Sequence, residues 1–122
     1  MTIKSIESDF GQFIFLDEHT VVAKAYAKEN IDAAKVKHAI ELIEKEQPGD
    51  YGIILDRSST YSVMPVEVYR FFGSITRLKV MAIVKYREID VLPENMEQKI
   101  SGKPVMKFSA IDDAHEWVKT FF

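Results

Sequence analysis

The chain has 122 residues, no cysteine, and 16 basic against 19 acidic residues, for a formal net charge of -3. That length predicts one domain over residues 1–122, with enough interior to fold without covalent staples. The composition excludes disulfides, thiolate metal centres and thiol nucleophiles. The charge balance argues against a nucleic-acid binder that relies on overall positive charge. Nothing approaches an uninterrupted 18-residue apolar run, and Met1 to Asp9 lacks a basic-then-apolar leader pattern. The expectation is a soluble, cytoplasmic protein with no membrane span.

In chain order, Ile3 to Ile6 has the composition of a short strand. Phe13-Ile14-Phe15-Leu16 and Thr20 to Tyr26 are β-prone runs joined by Asp17-Glu18-His19, the pattern of an antiparallel hairpin. After Asn30 the apolar period becomes helical, with Val36, Ile40 and Ile43 at i, i+4 and i+7 and with Ala39 and Leu42 widening the stripe. Asn30 or Asp32 caps that helix, and Pro48-Gly49-Asp50 stops it. Tyr51 to Asp56 reads as a strand buried on both faces.

A polar loop from Arg57 to Ser62 leads to Pro65, which suits the first turn of a second helix. Val68, Phe71, Phe72 and Ile75 form its predicted buried stripe. Leu78 to Val84 is another buried-type strand, Pro93 opens a short helix carrying Met96 and Ile100, and Val105 to Phe108 is the last strand. Ser109 and Asp112 have capping-box spacing ahead of Ala114, Trp117, Val118 and Phe121. The sum is an α/β fold: a mixed sheet with an N-terminal antiparallel hairpin, then parallel strands, and about four helices.

Catalytic signatures are not what this sequence offers. The five glycines, at 11, 49, 52, 73 and 102, form neither a phosphate loop nor a dinucleotide fingerprint. His19, His38 and His115 lack metal-ligand spacing, and Ser58, Ser59 and Ser62 lack a nucleophile elbow. Asp112-Asp113 sits at a helix start, where the helix dipole favours two acids without any catalytic role. No catalytic residue, cofactor or metal site is expected.

Two features carry more. Phe71 and Phe72 are adjacent, so on a helix they point about 100° apart; core is the first reading for each taken singly, but full burial of both is not required. Phe121 and Phe122 pose the same problem. The loop from Arg57 to Met64 leaves the carboxyl end of a central strand, which is where open α/β sheets place binding sites. The candidate interaction or ligand surface is therefore Asp56, Arg57, Ser59, Tyr61, Ser62, Met64, Arg70, Phe71 and Phe72.

The element order, with Gly52-Ile53-Ile54-Leu55-Asp56 before a loop and helix, Lys79 to Val84, and the closing Phe108-Ser109-Ala110-Ile111-Asp112-Asp113-Ala114-His115-Glu116-Trp117, resembles the STAS superfamily of anti-sigma-factor-antagonist-like (SpoIIAA-like) domains. It looks most like their short bacterial branch, which is grouped with lipid-binding SEC14-type domains. The resemblance implies the STAS fold and a non-enzymatic regulatory role through protein contacts. Such antagonists carry an Asp-Ser-Ser-Gly-like phosphorylation switch at the helix after the central strand. Here the corresponding stretch is Met64-Pro65-Val66-Glu67, with no serine or glycine, so the switch does not carry over.

The leading expectation is a regulatory module that contacts a protein partner through the Arg57 to Met64 loop and the exposed side of the second helix. The alternative is a module for a small apolar ligand or lipid, with Met64, Phe71, Phe72 and Met81 as wall residues. An enzyme ranks third. A homodimer through an uncovered strand of the hairpin is also expected.

Overall fold

A computed structural model describes residues 4–26, 32–57, 66–85 and 96–122. Within them lie the strands β1 (Lys4–Glu7), β2 (Gly11–Phe15), β3 (Thr20–Ala25), β4 (Tyr51–Asp56), β5 (Leu78–Val84) and β6 (Val105–Phe108). The helices are α1 (Ala33–Glu46), α2 (Val66–Ser74), α3 (Met96–Ser101) and α4 (Ile111–Lys119). The six strands form one sheet in the order β1-β2-β3-β4-β5-β6. The pairs β1–β2 and β2–β3 are antiparallel, and every later pair is parallel.

Each parallel step needs a crossover, and α1, α2 and α3 supply the three. All three steps move the same way across the sheet, so crossovers of one hand place their helices on one face. The front core shows this: Val36, Ile40 and Ile43 of α1 pack with Val68, Tyr69 and Phe72 of α2, and Ile100 of α3 packs against the cluster. The last helix follows β6 and is no crossover. It lies on the back face, where Ala114 and Val118 pack with Val22, Ile54, Val80, Ala82 and Val84.

The central strands divide their side chains between these two layers. In β4, Tyr51, Ile53 and Leu55 point to the front and Ile54 to the back. A register shift sets Tyr51 opposite Leu78 but Gly52 opposite Val80. Lys79 is the extra residue of this bulge, so Leu78 joins the front core while Val80 joins the back. Burying each such aliphatic side chain contributes about 1.5–3 kcal/mol, which makes the double-faced β4 and β5 the main source of stability.

Three expectations change in detail. The opening hairpin is part of a three-stranded antiparallel meander, so the sheet's edge is β1 rather than a strand of that hairpin. On α2, Tyr69 is buried beside Val68 and Phe72, and Phe71 is only partly buried. Its core stripe is rotated toward Tyr69, whose ring meets Phe72 edge-on at 6.4 Å. Finally, α4 starts at Ile111 with an extended Ala110 at its N-cap and no side-chain cap, so Ser109 falls one residue too early to cap it. Phe108 is still held in the sheet, its carbonyl accepting from Lys85 N–H at 3.0 Å, and this delays the turn into the helix. By contrast, the Asp32 carboxylate caps α1 as expected, accepting from Lys35 N–H at 2.9 Å.

Candidate functional site

The carboxyl end of β4 delivers Asp56 and Arg57 to the surface between β3 and β5. Arg57 N–H donates to the Val84 carbonyl at 2.8 Å, which holds the strand end level with its neighbour. Asp56 is paired in register with Lys24 on β3 and Val84 on β5. Lys24 in turn faces Gln12, and Gln12 faces Glu7. Directly opposed residues share a sheet face, so Glu7, Gln12, Lys24 and Asp56 form one polar row across four strands. Their alignment follows from the strand register, which no local pattern supplies.

The row shares the back face with Val84, and the opposite, front face of the sheet carries α2. Its first turn holds Val66, which is 37% exposed, and Glu67, and Arg70 lies exposed one turn further on. Phe71 is half-buried, whereas Phe72 is 2% exposed and packed in the front core. The adjacent phenylalanines therefore differ: Phe72 fills the interior, whereas Phe71, placed in the same buried stripe by the sequence pattern, reaches the surface. Met81, the other proposed wall residue, is fully buried in the same core. Ser59, Tyr61, Ser62 and Met64 lie outside the described residues, as does Pro65. Of the predicted surface, Asp56, Arg57, Arg70, Phe71 and Phe72 are among the described residues; Asp56 stands on the back face of the sheet with Val84, whereas Arg70 and Phe71 lie on α2 over the front face.

The opposite end of the sheet carries a polar cluster that sequence reading did not assemble. Asp17, in the β2–β3 turn, has one carboxylate oxygen 2.6 Å from His115 Nε2 and accepts from Thr20 Oγ1 at 3.3 Å on the same atom. Its other oxygen accepts from His19 N–H at 2.7 Å. Burial pushes the Asp17 carboxyl up, but the His115 contact, the His19 N–H and the Thr20 hydroxyl outweigh it, so its pKa falls below the ordinary value. The His19 ring stacks on Phe122 at 4.7 Å and 2°. The Thr20 hydroxyl bonds the carboxylate rather than the imidazole, which is not the geometry of a nucleophile activated by its base. The cluster fastens α4 to the β2–β3 turn.

A second clasp joins α1 to the start of β4. The buried Tyr51 hydroxyl donates to Glu44 at 2.7 Å, and the Arg77 guanidinium lies 5.9 Å from the Tyr51 ring centroid and 3.6 Å from Glu44. Burial, then the Glu44 bond and its charge, raise the Tyr51 phenol well above its usual range, against a smaller opposing effect of Arg77. Among the described residues, no group of three or more histidines, aspartates and glutamates is placed to hold a metal ion. No described helix is long and apolar enough to cross a membrane.

This architecture is a SpoIIAA-like fold, the STAS-like arrangement that the sequence resemblance implied. It is similar to the crystal structure of an uncharacterized protein of the DUF3478 family with a SpoIIAA-like fold, from Shewanella loihica PV-4. The two share 12% sequence identity with a TM-score of 0.54, over 96% of this chain and 92% of that one. No family model matches the sequence, and no curated protein matches it.

Proposed function

We propose that this chain is a non-enzymatic regulatory module that works through protein contacts. The contact surface combines the Arg57 to Met64 segment with the outward side of α2. The observation that carries the reading is on α2 itself. Val68, Tyr69 and Phe72 anchor the helix in the core, while Val66, Glu67 and Arg70 face solvent and Phe71 remains partly open. An aliphatic group, both charges and part of an aromatic ring on one rigidly seated helix suit a protein partner. The SpoIIAA-like fold supports the same reading by analogy of architecture.

The test is capture of binding partners from the native host by the full chain and by a Tyr61→Ala/Arg70→Ala variant of equal stability. Loss of specific partners with the variant is the expected result, and retention of every partner would overturn the surface assignment. Native and denaturing mass spectrometry of the same preparations gives a second readout. A mass increment seen only under native conditions would instead favour the small apolar-ligand reading.

A further inference from the structure

We draw no further inference here: the strongest candidate, the apolar seam running from Met106 and Phe108 on the edge strand β6 to Trp117 on α4 and Phe121 in the turn after it, carries nothing because nothing in the structure shows what covers it.

Discussion

The Asp17 carboxylate meets the His115 ring at 2.6 Å, joining the β2–β3 turn to α4 across 98 positions of sequence. Asp17→Asn should cost about 1.5–3 kcal/mol at neutral pH, the scale of a hydrogen bond to a charged group. The sign of its pH dependence follows from the depressed pKa. The contribution is complete above the ordinary carboxyl value of 3.8 and is lost as pH falls through the lower folded-state value. Urea unfolding of both proteins over an acidic pH series should show the gap closing below pH 3.8. A gap that widens on acidification would contradict the assignment.

Tyr51 has the opposite dependence. Its folded-state pKa is raised by burial and by Glu44, so its contribution is present below the ordinary phenol value of 10.0 and fades as pH rises above it. Tyr51→Phe should cost about 1.5–3 kcal/mol, since it removes a bond to a carboxylate without opening a cavity. In an absorbance titration of the five tyrosines, the native protein should show a delayed phenolate component. That component should lose one tyrosine's amplitude in Tyr51→Phe, the Tyr26 phenol also being raised, by burial and then by Glu7, and an unchanged amplitude would assign the delay to other tyrosines.

Gly52 lets α4 approach the sheet closely. A Cβ at this position would stand 2.7 Å from both Val118 Cγ1 and Val80 Cγ1. Gly52→Ala should therefore destabilise by about 1–3 kcal/mol through overpacking. Shortening Val118 to alanine in the same chain should relieve part of that loss. A double-mutant cycle in urea reads the coupling, expected at about 0.5–3 kcal/mol. Strict additivity would mean that α4 does not rest on Gly52.

Gly73 tests the seam between α2 and α3. Alanine in place of a helical glycine normally gains about 1 kcal/mol. Here the added methyl would collide with the Ser101 carbonyl of α3, and backbone cannot swing aside as a side-chain end can. Gly73→Ala is expected to lower the melting temperature despite its better helix propensity. A rise in melting temperature would show that the two helices separate readily.

Local pattern was enough for the elements themselves. The 3.6-residue spacing of Val36, Ile40 and Ile43, with Asp32 ahead of it, specifies α1 and its cap because both signals act within a few residues. The continuous apolar runs of β4 and β5 report strands covered on two faces, and the structure covers both. Where two local rules competed, the tertiary ladder prevailed. Ser109 has the right spacing to cap α4, but the sheet still holds Phe108, and the helix begins at Ile111.

The candidate surface was legible only as a location. Loops beyond strand carboxyl ends are favoured sites for reasons of topology, and Asp56 and Arg57 stand at that end of β4, with α2 the next described element in the chain. Which of Phe71 and Phe72 would face outward depended on the rotation of α2 against its neighbours, which a helical stripe leaves free by part of a turn. The bulge at Lys79 is of the same kind: one extra residue reverses which face Leu78 and Val80 serve, with no local mark in the sequence.

By itself the sequence determined that this chain builds a mixed α/β sheet, since hydrophobic period and turn chemistry are properties of neighbouring residues. Tertiary structure alone decided that α4 covers the back face, that Lys24 lies beside Asp56 and that Asp17 meets His115. Those contacts arise from strand register and helix docking, which bring together residues that no local periodicity relates.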